Sequence, residues 1–192
     1  MTIPEPIIVT RGGYDITDAG MPLVHAFGGV HVWDNSRRAF DLKLLAAYFA
    51  ADESPAKLIF YQDDDLAISD PWEIVKAWEP GKIVCNMPSE FQAAYRDKPD
   101  CLMGFGSCFE KSLIRPTWER YRNHFPIDSV TLREAHRIFT GLNRDRIVMV
   151  DVHKTNLPYA TDETRLWKQA DHGSFAARAY ERIRLILEKE GK

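Results

Sequence analysis

Short β-branched runs that alternate with helically spaced apolar segments constrain this chain more than any other feature. Pro6 to Thr10 is such a run and stops at Arg11-Gly12-Gly13-Tyr14. Val30 to Trp33 is another and stops at Asp34-Asn35-Ser36. Phe40 to Ala51 spaces its apolar residues as a helix does, and Lys57 to Tyr61 returns to strand character. This alternation predicts strand, helix, strand units and an α/β fold with a mostly parallel sheet flanked by helices.

The rest of the chain continues the pattern. Asp70-Pro71 reads as an N-cap and first helical residue for a short helix that Pro80-Gly81 ends. Lys82 to Asn86 is the next strand. Cys101 to Phe109 is apolar but broken by glycines, as in a strand that bends around a ligand or a close backbone neighbour. Helices are expected over Pro116 to Phe125 and Leu132 to Leu142, the second capped by Thr131 with Glu134 three residues on. Ile147 to Val152 is a last strand, and Phe175 to Glu190 a terminal helix with Ile183, Ile186 and Leu187 on its apolar side.

With 192 residues, 45% hydrophobic and 28% charged, one domain spanning 1–192 is expected. A net charge of -3 gives no chain-wide basic signature, so charge neither demands nor excludes nucleic acid. Cys85, Cys101 and Cys108 have no CxxC spacing and sit in apolar stretches, which predicts reduced core residues. The amino terminus lacks a basic flank before a long apolar segment, and no run approaches the length of a membrane span. A cytoplasmic protein with no membrane partner and no obligate protein partner is therefore expected.

Three strand ends carry polar loops, and in open α/β sheets ligands gather outside the carboxyl ends of strands. The third loop, Asp63-Asp64-Asp65, places like charges side by side. On an extended strand Asp63 and Asp65 would face one way and Asp64 the other, so the outer pair suits a hard divalent cation, Mg²⁺ or Mn²⁺. The plain alternative is a solvated acidic turn.

The segment IFYQDDDL is similar to the DxD motif of GT-A nucleotide-sugar glycosyltransferases. HVWDNS at 31–36 resembles a strand end of exostosin-like members, with Asp34 where those carry an amide. GFGSCFEKSLI at 104–114 looks like the family's acceptor-side strand, and REAHRIFTGL at 133–142 its late catalytic helix. The resemblance covers most of the chain and implies a GT-A-like, Rossmann-like domain. It extends to short bacteriophage glycosyltransferases that act on hydroxymethylated pyrimidines in DNA, which would place the chain in a host cytoplasm.

The resemblance implies roles. Asp63, Asp65 and the late His172 would hold Mn²⁺ or Mg²⁺, the mixed donor set favouring Mn²⁺. Thr10, Arg11 and Gly12 would contact base and ribose of a nucleoside-diphosphate sugar, UDP above others. Asp34, Asn35, Asp63, Asp64 and either Arg37 or Arg38 would complete that donor site. An inverting enzyme needs a carboxylate base. Glu134 leads, the family's acid near His136 makes that residue a second candidate, and Asp128 and Glu110 stay open. Arg115, Arg120, Arg122 and His124 are eligible for DNA phosphates, while Trp118, Tyr121 and Phe125 recur at core-facing spacing. Two other readings remain: a sugar-phosphate nucleotidylyltransferase, and a binding module for nucleotide sugars or nucleic acid without turnover.

Overall fold

The structure, a computed structural model, describes residues 2–95, 98, 100–161, 163 and 165–192. The β-branched runs form the strands of one sheet. In chain order the elements are β1 (Glu5–Thr10), α1 (Thr17–Phe27), β2 (His31–Asp34), α2 (Ala46–Glu53), β3 (Leu58–Asp63), β4 (Leu66–Ile68), α3 (Pro71–Lys76) and β5 (Ile83–Asn86). There follow α4 (Ser89–Tyr95), β6 (Ser107–Glu110), α5 (Ile114–Arg122), α6 (Ser129–Leu142), β7 (Ile147–Val150), β8 (Lys154–Asn156) and α7 (His172–Lys189).

The main sheet has six strands in the order β2-β1-β3-β6-β5-β7. β6 runs antiparallel to both its neighbours, and the other pairings are parallel. Alternation along the strands sends side chains to opposite faces. Ile7, Ile59, Ile83 and Phe109 pack with α2, Ile114 of α5 and Phe139 of α6. Ile8, Phe60, Val84 and Cys108 pack with Ala19 and Leu23 of α1 and Ile74 of α3. Both faces are thus covered, as a mostly parallel sheet requires. A third cluster joins Tyr121 to Ile138, Ile183 and Ile186 of α6 and α7, so the α5 aromatics serve the core as their spacing predicts. All three cysteines are buried and free. Among the described residues no helix is long and apolar enough to cross a membrane.

Several elements differ from expectation. α1, a helix not expected from the sequence, contains Pro22, and buried Ala19 and Leu23 hold it to the sheet. The strand expected from Cys101 begins only at Ser107. Gly106 before it has φ of 108°, and a side chain there would meet Ile68 and Ile74.

α6 starts earlier than predicted. Its capping box is Asp128 with Thr131, whose backbone N–H donates to Asp128 Oδ1 at 3.2 Å; Thr131 is the third helical residue, not the cap. Asp128 also pairs with Arg182 Nη2 at 2.7 Å, and this arginine above all holds its carboxyl down at about 2. Asp128→Ala should cost about 1 kcal/mol in urea unfolding near neutral pH. The folded-state pKa lies below the unfolded one, so this contribution is complete above about pH 4 and lost as pH falls through about 2. Wild type and variant should converge there.

Candidate active site

The chain leaves the end of β1 toward β2 and leaves β3 toward β5, in opposite directions along the sheet. The crevice between two such strands is where open α/β sheets bind ligands. Val9 of β1 is in register with Asp63 of β3, and Thr10 with Asp34 of β2. The three polar loops therefore meet. They border a cleft of about 280 Å³ lined by Thr10, Arg11, Asn35, Lys43, Tyr61, Asp63, Asp64 and Asp65, and closed by Arg165, Leu166 and Trp167. Lys43 has φ of 48°, the sole positive value for a non-glycine among the described residues. Such conformations cost energy and collect at functional sites.

The aspartates do not continue the strand. β3 ends at Asp63, and Asp64-Asp65 is a tight turn into β4. Asp64 is buried and faces Arg165, whose Nη1 donates to its Oδ1 at 2.7 Å and lies 3.5 Å from Asp65 Oδ2. The cation that three adjacent aspartates call for is thus partly supplied by the chain itself, from a loop about a hundred residues downstream. Arg165 Nε donates to the Tyr159 carbonyl, and its guanidinium lies 5.3 Å from the centre of the Tyr14 ring. Tyr14 and Tyr159 stack at 4.7 Å, and the Tyr159 hydroxyl donates to the Asp64 carbonyl. This loop straps the first and third strand ends together.

One guanidinium does not neutralise the group. Burial, reinforced by the charge of Asp65, pushes the Asp63 carboxyl up to about 7, and burial raises Asp65 as well despite Arg165. Asp64 Oδ2 is buried with no hydrogen-bond partner among the described residues. Asp63 itself is clamped: its Oδ1 accepts from the Tyr61 hydroxyl at 2.5 Å, and its carboxylate lies over the bare Cα of Gly104, whose carbonyl accepts from the Asp63 N–H. Crowded, partly desolvated carboxylates of this kind fit a divalent cation held by Asp63 and Asp65. Among the described residues no set of three or more His, Cys, Asp and Glu side chains is gathered as a metal cage.

Other predicted residues stand elsewhere. Asp34 Oδ1 accepts from the Ser36 N–H and hydroxyl, capping a short 3-10 turn, and Arg37 pairs with Asp34 while its own side chain is 85% exposed. Gly12 has φ of 78° and lies against Ser36, so it shapes the loop and does not line the cleft. Arg38 stacks on Trp33. Asn35 does line it, braced by Trp33 Nε1 and the Lys43 carbonyl.

Glu134 and His172 face each other, Oε1 to Nδ1 at 3.5 Å, and Arg137 Nε donates to Glu134 Oε2 at 3.0 Å. Glu134 has non-helical angles inside α6, so it marks a kink and not a cap. Neither residue lines the cleft. His136 is buried behind Tyr61, and burial takes its imidazole down to about 3, too weak a base for proton abstraction near neutral pH. Of the remaining acids, Asp128 caps α6, and Glu110 sits opposite Leu58 at the far end of β3. Neither lines the carboxyl-end cleft.

Sequence reasoning missed Arg165, Tyr159, Tyr14 and Lys43. The one signal for the arginine was the acidic triplet itself, which demands a counter-charge without saying where in the chain it lies. No protein-family model matches this chain, and no curated protein is similar to it in sequence.

Proposed function

We propose that the chain is a divalent-cation-dependent glycosyltransferase of GT-A type, moving a sugar from a nucleoside-diphosphate sugar, UDP-linked above others, to an acceptor hydroxyl. The acceptor we favour is a hydroxymethylpyrimidine in DNA. The observation that carries the reading is the meeting of Thr10, Arg11, Asn35 and the carboxylates of Asp63 and Asp65 in one cleft at the point where the β1 and β3 connections diverge. Arg11 and Lys43 would meet the donor's anionic groups, and Arg165 holds Asp64 and the turn in place. A cation bound by Asp63 and Asp65, Mn²⁺ or Mg²⁺, would stabilise the charge that grows on the departing diphosphate.

One observation favours a second reading. Arg165 already gives Asp64 and Asp65 a positive partner, which suits nucleotide binding without turnover.

Thermal unfolding with UDP, GDP, CDP or ADP, each with Mn²⁺ or with chelator, separates the readings. A nucleotide at about a hundred times its Kd adds about 2.7 kcal/mol and should raise the melting temperature by about 5–10 °C. The expected result is a rise that needs Mn²⁺ and vanishes in Asp65→Ala. A rise indifferent to chelator and to Asp65→Ala supports the binding module. No rise with any nucleotide removes both.

A further inference from the structure

Four side chains from three elements form one line, buried except at its Asp63 end. The Tyr48 hydroxyl of α2 lies 3.1 Å from His136 Nδ1 of α6, and His136 Nε2 lies 3.1 Å from the Tyr61 hydroxyl of β3. That hydroxyl lies 2.5 Å from Asp63 Oδ1. Tyr48 and Tyr61 are fully enclosed and His136 is 7% exposed, its ring 4.9 Å from Tyr61 and 5.6 Å from Tyr48 between centres. Phenylalanines and a leucine would fill this space without polar atoms. Buried polar groups are costly unless each finds its partner.

The partners here have a direction. The Tyr61 hydroxyl donates to Asp63 Oδ1, the direction an ionised carboxylate requires. The Tyr61 oxygen is then free to accept, and the group facing it is His136 Nε2, which must carry the imidazole's proton. Nδ1 is left as an acceptor and takes the Tyr48 hydroxyl. Burial keeps the imidazole neutral, as this arrangement requires. The competing acceptor for Tyr48, Met103 Sδ at 3.1 Å, is a weak one.

We infer that His136, as its Nε2–H tautomer, is a positioning residue that holds the Tyr61 hydroxyl as a donor to Asp63 Oδ1 and so fixes the carboxylate facing the cleft. His136 touches neither the cleft nor the reacting atoms. The role rests on Asp63 being a cation ligand, as proposed above. It gives the buried histidine a function that its burial does not contradict, and it explains why two tyrosines flank it.

Two measurements test it. Nitrogen-15 spectra of the wild-type protein at about pH 9, where free carboxylates are ionised, should show the His136 signal, assigned by its loss in His136→Gln, as the Nε2–H tautomer. The Nδ1–H tautomer, or an even mixture, overturns the inference. Calorimetric titration with Mn²⁺ tests the consequence. Tyr61→Phe and His136→Leu should weaken binding about 10- to 100-fold, the usual loss when an outer partner of a metal ligand is removed. His136→Gln, whose amide N–H can stand in for Nε2–H, should stay within about threefold of wild type. Equal affinity in wild type, Tyr61→Phe and His136→Leu overturns the relay and leaves the cation site standing. A wild-type protein that takes up no Mn²⁺ overturns the cation site and the positioning role together.

Discussion

Arg165→Met is expected to destabilise the folded protein by about 3–5 kcal/mol, the usual cost of removing one member of a buried ion pair. Arg165 is 8% exposed, and Asp64, whose carboxylate it serves, is 2% exposed. Removal leaves a charge that water hardly reaches, beside two more carboxylates that burial already disfavours in their charged form. The variant Asp64→Asn/Arg165→Met should recover most of the loss, since the penalty lies in the orphaned charge and not in the pair itself. Urea unfolding of the two variants and wild type measures this. A loss below about 1 kcal/mol for Arg165→Met would mean a solvated turn of the kind that exposed ion pairs make. Mn²⁺ should also raise the melting temperature more in Arg165→Met than in wild type, because the cation then replaces the only guanidinium shown against the triplet among the described residues.

The sheet was legible because its strands are local signals. Runs such as Ile7-Ile8-Val9 and Leu58 to Tyr61 declare both their extended form and their burial. The α3 start was equally legible, since Asp70 accepts from the Trp72 N–H and Pro71 opens the helix, as their order in the chain implies. β4 and β8 were not. Lys154-Thr155-Asn156 has no apolar side to announce a strand, and it becomes one only by pairing with Leu66 to Ile68, far away in sequence. The α6 cap was misplaced by three residues because Asp128 and Thr131 both offer capping side chains, and only the backbone decides between them.

The site divides along the same line. Residues at strand ends, Thr10, Asn35 and Asp63 to Asp65, were found because topology brings strand ends together whatever the loops do. Arg165 could not be found that way. It lies in a polar loop between short 3-10 turns, and its partner is fixed by the packing of Tyr159 and Tyr14. His136 and Glu134 were placed near the chemistry by a resemblance in their helix. The observed kink and burial turn one toward His172 and the other behind Tyr61.

Gly104→Ala is expected to abolish the Mn²⁺-dependent stabilisation while leaving a folded protein. A methyl group at this position would overlap the Asp63 carboxylate, lying 2.9 Å from Oδ1 and closer still to Cγ and Oδ2. The backbone at Gly104 is not in the left-handed region, so alanine brings no conformational strain of its own and the clash falls first on Asp63. The carboxylate must swing away, which breaks its 2.5 Å bond from Tyr61 and removes one of the two proposed cation ligands. Overpacking of this kind costs about 1–3 kcal/mol, smaller than the expected cost of Arg165→Met. Thermal unfolding with and without Mn²⁺, beside Asp63→Ala, measures the outcome. If Gly104→Ala keeps the full metal response, Asp63 has room to reach the cation from another rotamer, and the clamp by Tyr61 and Gly104 is not what aims it. If the response is lost in both variants while urea unfolding stays cooperative, the missing side chain at 104 is part of the site, because its absence is what lets the carboxylate stand where the cleft needs it.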